Sequence, residues 1–162
     1  MPHRAHMSRQ KSSAEHGQDA LLPHNTRRSL PIALLRAREA VMGHFRPMLA
    51  QHEITEQQWR VIRILAETGQ VDATEMAEKA FILAPSLTRI IRSLEERGLI
   101  SKSKDAEDGR RVLLEIAPAG MKVIAEVGPE SRAIYATLEA KYGKERVEKL
   151  LDMLDDLATL GV

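Results

Sequence analysis

The chain contains no cysteine and few aromatic side chains: two Phe, two Tyr and one Trp among 162 residues. Without thiols it has no disulfides, no cysteine nucleophile and no cysteine ligands for zinc or an iron–sulfur cluster. No apolar run approaches the roughly 20 residues that cross a bilayer, and the first residues lack the apolar stretch of a secretory signal. We therefore expect a cytoplasmic protein.

An excess of charge of one sign is also lacking, since 24 Lys and Arg residues face 23 Asp and Glu residues for a net charge of +1. The chain is therefore no polycation that coats nucleic acid indiscriminately. The charge is nevertheless uneven. Residues 1–30 carry five bases and two acids, whereas residues 143–162 carry three bases and five acids. We expect an anionic partner to avoid the C-terminal segment.

Helical spacing of apolar residues recurs along the chain and predicts a mainly α fold. Residues 1–28 have no such period and are expected to form a disordered basic arm. Residues 29–53 and 118–162 are predicted as N-terminal and C-terminal dimerisation helices. Within them, Pro47 and Pro129 are expected to bend the backbone, because proline lacks an N–H and crowds the preceding turn.

An apolar stripe along the last predicted helix advances by steps of three, four and three residues. Its members are Val147, Leu150, Leu154 and Leu157. Such a stripe belongs either to the chain's own core or to a seam between two copies. In a chain this rich in helix we favour the seam, and therefore a homodimer.

Residues 54–117 are expected to form a winged helix-turn-helix domain. Helix starts are predicted at Thr55 and at Asp72, each followed three residues later by Gln or Glu in the spacing of a capping box. Pro85 suits the first turn of a further helix. A polar tip containing Gly109 then separates two short extended runs, which predicts a β-hairpin. The second helix of such a motif fits the major groove of DNA.

The predicted recognition helix has one apolar face, which turns polar side chains outward. The residues expected to contact DNA on this helix are Pro85, Ser86, Thr88, Arg89 and Arg92. Arg89 is the first choice for a base contact, because arginine can bond guanine through two hydrogen bonds. On the hairpin, Arg110 and Arg111 are candidates for a minor-groove or phosphate contact, and Asp108 is expected to orient Arg110. The alternatives are a solvated helix face and a plain salt bridge.

The run PSLTRIIRSLEERGLISKSKDAEDGRRVLLEIAPAG resembles the MarR family of dimeric winged-helix transcription regulators. The resemblance extends over about residues 31–160. It implies DNA contact by the start of the recognition helix, at Pro85, Ser86, Thr88 and Arg89, and by Arg110 on the wing. The sequence departs from the family pattern at Gly109, where an arginine is common.

The stretch LPIALLRAREAVMGHFRPMLAQHEITEQQWRVIRIL is similar to family members that regulate homoprotocatechuate degradation. That similarity implies a repressor of an aromatic-acid operon, released by a phenolic carboxylate such as homoprotocatechuate or 4-hydroxyphenylacetate. Arg38 and His44 are the expected ligand residues, with Arg36 and Trp59 nearby in the pattern. A guanidinium suits a carboxylate, an imidazole suits a phenolic hydroxyl, and an indole offers an aromatic wall. The alternatives are a solvated helix surface or dimer salt bridges for Arg38 and His44, and ordinary core packing for Trp59.

Other functions remain open at this point. A regulator with a different ligand, a small enzyme with His44 as base, and a helical adaptor that binds another protein are the alternatives considered. No nucleotide-binding or hydrolase motif supports an enzyme. We expect no cofactor and no metal site, because the histidines lack the carboxylate spacing that a metal needs.

Overall fold

The computed structural model describes residues 25–161, and most of the expected arm, residues 1–24, lies outside them. Asn25 caps a short 3-10 helix, Thr26–Arg28, so the end of that segment forms a turn of its own. Six α-helices and three β-strands follow within the described residues. The helices are α1 Leu30–Gln51, α2 Glu56–Thr68, α3 Ala73–Ala80, α4 Ala84–Glu96, α5 Pro118–Tyr142 and α6 Lys144–Thr159, and the strands are β1 Val71–Asp72, β2 Ile100–Lys104 and β3 Val112–Ile116.

The chain divides into two units, residues 1–41 and 42–162, with the division inside α1. The described part of the first unit holds the 3-10 helix and the start of α1. Four of its large apolar side chains are exposed, and Ile32 is half-buried. The exposed side chains are Leu30, Leu34, Leu35 and Val41. The second unit holds the rest of α1 and all later elements, including the hydrophobic core.

The predicted helix starts in the second unit are confirmed. The Thr55 hydroxyl accepts a hydrogen bond from the backbone N–H of Gln58 at 3.1 Å, and the Gln58 side chain accepts one from the backbone N–H of Thr55 at 3.0 Å. This is the complete capping box that the sequence predicts at α2. At α3, the Asp72 carboxylate accepts from the N–H of Glu75 at 2.8 Å, but the capping box is not completed, because the Glu75 side chain pairs with Lys79 at 3.6 Å.

The core of the second unit is where the helix-turn-helix elements meet the sheet. Apolar residues at helical spacing on α4 are buried, as the sequence predicts: Leu87, Ile91 and Leu94. They pack with fully buried residues from other elements, among them Leu49, Ile62, Leu65, Met76 and Leu114. The outer face of α4 is thereby turned to solvent.

The predicted hairpin forms, with β2 and β3 paired antiparallel so that Ile100 lies opposite Ile116. The sheet, however, has three strands in the order β1-β3-β2. The added strand, β1, pairs Val71 with Leu114. The sequence predicts only the two strands of the hairpin, because a strand of two residues is too short to show an alternation of apolar and polar side chains.

Helix α5 begins close to the base of the hairpin. A Cβ on Gly120 would lie 2.3 Å from the carbonyl oxygen of Leu99, so only glycine permits this approach. Neither Pro47 in α1 nor Pro129 in α5 interrupts its helix. None of the helices in residues 25–161 is both long and apolar enough to cross a membrane.

Helix α6 contributes no buried residue. Of its predicted apolar stripe, Leu150 and Leu154 are exposed, and Val147 and Leu157 are half-buried. The stripe is therefore not part of the chain's own core. Its role as a seam between two copies stays a prediction.

Candidate nucleic-acid interface and ligand cavity

The outer face of α4 presents the side chains that the sequence predicts. Pro85, Thr88, Arg89 and Arg92 are exposed, and Ser86 is half-buried. Arg92 forms an ion pair with Glu96 at 3.1 Å, one turn along the same helix. The Arg89 guanidinium has no hydrogen-bond or ion-pair partner among residues 25–161, so it is free to contact a base or a phosphate.

A polar groove of about 240 Å³ lies beside Arg89, between the start of α2 and the first turns of α4. Its polar lining residues are Thr55, Gln57, Gln58, Ser86, Arg89 and Ser93. Amide, hydroxyl and guanidinium groups are the side chains that bond phosphates and base edges in nucleic-acid complexes. The groove therefore extends the polar surface of α4 onto α2.

The wing tip is closed by backbone turns rather than by the side-chain pair that we expected. The Asp108 carboxylate accepts from the backbone N–H of Arg110 at 3.0 Å, so it orients the Arg110 main chain and not its guanidinium. The Arg110 side chain is exposed and without an ion-pair partner among the described residues. It is thus available at the tip.

Arg111 is held by two carboxylates instead of being free. Its guanidinium lies 2.9 Å from Asp72 and 3.0 Å from Asp105. These pairs tie the wing to the start of α3. The pKa of Asp72 is lowered, first by the hydrogen bond from the Glu75 N–H and then by Arg111. The pKa of Arg111 is raised, chiefly by its hydrogen bond to Asp72.

The Asp72–Arg111 link predicts a pH dependence of stability. Because the folded pKa of Asp72 is below its ordinary 3.8, the hydrogen bond from the Glu75 N–H and the pair with Arg111 contribute stability above that pH, and this contribution is lost as the pH falls through the folded value. The variant Asp72→Asn keeps an oxygen that can cap α3 but loses the ion pair. We expect its free energy of unfolding, measured by urea denaturation, to fall less than that of the wild type as the pH is lowered through this range. Parallel curves for the two proteins would contradict the assignment.

A cavity of about 350 Å³ lies between α2 and α5. From α2 it is lined by Trp59, Arg63, Ala66 and Glu67, and from α5 by Ile124, Gly128, Ser131, Arg132 and Tyr135. Steps of three and four residues on each helix place these side chains on the facing sides. The volume is within the roughly 300–1,000 Å³ of small-molecule sites.

The chemistry of the cavity suits an aromatic anion. Trp59 and Tyr135 supply flat apolar walls, and the Tyr135 ring also packs on Phe45 at a centroid distance of 4.9 Å. Arg63 and Arg132 supply positive charge. Arg63 is paired with Glu67 at 3.1 Å, on the next turn of α2.

Ser131 adds a polar group to the apolar side of the cavity. It is the buried polar residue of the described chain, with 6% of its surface exposed. No hydrogen bond of its hydroxyl is found within residues 25–161. Ser131 lines the cavity, so its hydroxyl is available to donate a hydrogen bond to, or accept one from, a polar group of a bound molecule.

The predicted ligand residues are not all brought to this cavity. Trp59 lines it while also packing against the core, so its place in the core is confirmed and its role as a ligand wall stays a prediction. His44 is exposed on α1 and is not among the lining residues. Arg36 and Arg38 are exposed in the first unit, where Arg38 lies 3.5 Å from Glu39. Their roles stay predictions.

Sequence reasoning missed Arg63, Arg132 and Tyr135. One signal was present, because Arg63 follows Trp59 by four residues and therefore shares its face of α2. The other two residues lie on α5, and the pairing of α5 with α2 is not visible in the period of either helix. In residues 25–161 no group of three or more His, Asp or Glu residues could hold a metal ion.

The chain is similar in sequence and in fold to known transcriptional regulators. The sequence profile of the MarR family matches residues 54–112. The chain is 45% identical to the HTH-type transcriptional regulator FarR of Neisseria gonorrhoeae, over 82% of this chain and 90% of that protein. It is 38% identical to the homoprotocatechuate degradative operon repressor of Escherichia coli, again over 82% of this chain and 90% of that protein. The crystal structure of NadR in complex with 4-hydroxyphenylacetate is similar with a TM-score of 0.74 and 42% identity, over 86% of this chain and 99% of that one.

Proposed function

Because the chain belongs to the MarR family of transcriptional regulators and is not an enzyme, we propose that it is a cytoplasmic repressor that binds operator DNA as a homodimer and is released by an aromatic carboxylate. The small-enzyme alternative is thereby set aside. One observation carries the proposal: the second unit combines an exposed recognition helix with a cavity whose walls are aromatic and whose charge is positive. Helix α2 lines the cavity and also contacts the recognition helix, through the hydrogen bond from Gln58 to Ser93.

DNA binding is assigned to α4 and the wing. Arg89 and Thr88 are exposed where an α-helix would enter the major groove. Arg110 stands free at the wing tip, so it is the wing arginine that we assign to the minor groove or its phosphates. Arg111, which is bound by Asp72 and Asp105, instead fixes the angle of the wing.

The homodimer is supported by apolar surface that the single chain leaves open. On α6, Leu150 is 41%, Leu151 54% and Leu154 37% exposed, and steps of three and four residues place Leu154 beside the other two on one face of the helix. Contiguous exposed apolar side chains of this kind mark surfaces that bind another protein. A second copy would cover them and would present two recognition helices to half-sites about 34 Å apart.

The ligand is assigned to the cavity between α2 and α5. A carboxylate would bond the guanidinium of Arg63 or Arg132, and an aromatic ring would pack between Trp59 and Tyr135. The similar NadR structure is a complex with 4-hydroxyphenylacetate, and another relative is the repressor of a homoprotocatechuate degradative operon. We therefore propose a phenolic acetate as the ligand and an aromatic-acid catabolic operon as the target.

Coupling between ligand and DNA would run through α2. Next to the cavity residue Trp59, Gln58 donates to the hydroxyl of Ser93 on α4 at 3.2 Å, and Arg60 donates to the carbonyl of Ala80 at the end of α3 at 2.6 Å. A ligand that favours one position of α2 thus also favours one position of the DNA-binding helices. The shift equals the difference in ligand affinity between the two states.

A mobility-shift titration with the DNA upstream of the protein's own gene tests the proposal. We expect a sequence-dependent, salt-sensitive complex that 4-hydroxyphenylacetate or 3,4-dihydroxyphenylacetate dissociates. Trp59 is the single tryptophan of the chain, so its fluorescence reports directly on the cavity. The absence of any sequence-dependent complex would refute the function, whereas a complex that ignores both acids would refute only the ligand class.

The Arg63–Glu67 pair predicts that Glu67 competes with the ligand. A carboxylate that binds Arg63 must share it with or displace Glu67, which lies 3.1 Å away. We expect Glu67→Gln to bind 4-hydroxyphenylacetate about two- to fivefold more tightly, the range for an exposed ion pair. The uncharged 4-hydroxyphenylacetamide is the control and should bind both proteins equally. Equal affinity of both proteins for the acid would show that Glu67 does not compete.

A further inference from the structure

Two large apolar side chains project from the turn between α3 and α4. Phe81 is 90% and Leu83 is 79% exposed, the highest values among the large apolar residues of the described chain. Ile82 between them is buried at 6% and anchors the turn to the core. We call Phe81 and Leu83 the apolar turn.

Neither side chain stabilises the folded chain at its position. Phe81 has φ 52° and ψ 49°, a left-handed conformation that is unfavourable for a residue with a side chain and that glycine adopts freely. Leu83 is the N-cap of α4 and makes no side-chain hydrogen bond there. Ser or Asp at this position would stabilise the helix, because its side-chain oxygen accepts from a free backbone N–H of the first turn. A bulky apolar group at each position therefore favours a contact outside the folded chain.

The apolar turn is continuous with the surface assigned to DNA. Leu83 is followed directly by the first turn of α4, which holds Pro85 and Ser86, and no acidic residue lies in that turn. The end of a recognition helix that enters the major groove first is its N-terminus. In that groove thymine alone presents an apolar group, the C5 methyl, to a protein.

We propose that the apolar turn contacts thymine C5 methyl groups in each operator half-site, so that Leu83 and Phe81 contribute to sequence specificity. This inference rests on the proposed DNA-binding function. Burial of the methyl group against an apolar side chain removes both from water, whereas cytosine and the purines offer no such group at that position. The specificity would add to the hydrogen bonds of Arg89.

Operators in which single thymines are replaced by uracil test the proposal, because uracil differs from thymine only by the missing methyl group. For the wild-type protein we expect a loss of affinity of about three- to fivefold at one or more thymines per half-site, the value of one buried methyl. Leu83→Ser and Phe81→Gly should bind the unmodified operator more weakly and lose their sensitivity at the thymine concerned. Both variants should stay folded, since serine can cap α4 and glycine fits φ 52°.

Met121→Ser is the matched control, because Met121 is an exposed apolar residue on α5 outside this surface. It should keep the uracil sensitivity of the wild type. If the wild type binds thymine and uracil operators equally well, or if Leu83→Ser and Phe81→Gly keep its sensitivity, the proposal is overturned and the apolar turn faces something other than thymine. If the wild type binds no operator DNA, the proposed function itself fails.

Discussion

Replacement of Arg89 by alanine is expected to weaken specific operator binding by about 1–3 kcal/mol, or roughly 5- to 150-fold in Kd, the usual cost of a lost base contact. The guanidinium is exposed on α4 and has no partner in residues 25–161, so the variant loses nothing that holds the fold. Thermal unfolding of the variant should therefore match that of the wild type. Fluorescence anisotropy with a labelled operator measures the affinity.

Two further variants separate a base contact from a general effect of charge. Arg146→Ala removes the same charge from α6, where Arg146 stacks on Tyr142 at 4.0 Å, and should leave operator affinity nearly unchanged. Arg92→Ala removes an arginine that is already paired with Glu96, and should have a smaller effect than Arg89→Ala. The loss in Arg89→Ala should be large for operator DNA and small for unrelated DNA. Equal losses on both would assign Arg89 to phosphate contact instead.

The parts of the fold that the sequence predicts are those specified by local chemistry. The capping box of Thr55 and Gln58 is a contact over three residues, and the spacing of Leu87, Ile91 and Leu94 lies within one helix. Both could be recognised without knowledge of any other element. The strand β1 could not, because its two residues become a strand only by pairing with β3, some 40 residues away along the chain.

The same distinction applies to the site. Exposure of Arg89 follows from the apolar face of its own helix, and the structure agrees with that expectation. The cavity depends on the approach of α2 to α5, so Tyr135 has no local signature that marks it as a wall. The partners of Arg111 are also distant: Asp72 precedes it by 39 residues. The environment of a side chain could thus be predicted where a single helix or strand determines it. It was missed where the packing of two elements determines it.

Helix α2 contacts both the cavity and the DNA-binding helices, and this is the proposed basis for the coupling between ligand and operator binding. Its Trp59 and Arg63 line the cavity, and its Gln58 and Arg60 bond the DNA-binding helices. Substitutions at Trp59 or Arg63 should therefore alter the response to ligand without altering operator binding in the absence of ligand. Variants of Gln58 or Arg60 should alter both.

Replacement of Arg63 by alanine is expected to weaken binding of 4-hydroxyphenylacetate by about 1.5–3 kcal/mol, the range for a hydrogen bond to a charged group, or roughly 10- to 150-fold in Kd. Operator binding without ligand should be retained, because Arg63 contacts Glu67 and no DNA-binding element. Arg63→Lys keeps the charge but loses the planar pair of donors, so it should be intermediate. Titration calorimetry and Trp59 fluorescence measure the affinity.

Arg38→Ala is the variant to compare with Arg63→Ala, because the sequence alone predicts that Arg38 binds the carboxylate of the ligand. If the cavity between α2 and α5 is the ligand site, Arg63→Ala loses ligand affinity and the uncharged 4-hydroxyphenylacetamide binds both the variant and the wild type alike. Full ligand affinity in Arg63→Ala together with a loss in Arg38→Ala would instead place the carboxylate on α1. A loss in both variants would contradict the assignment of the ligand carboxylate to Arg63 alone.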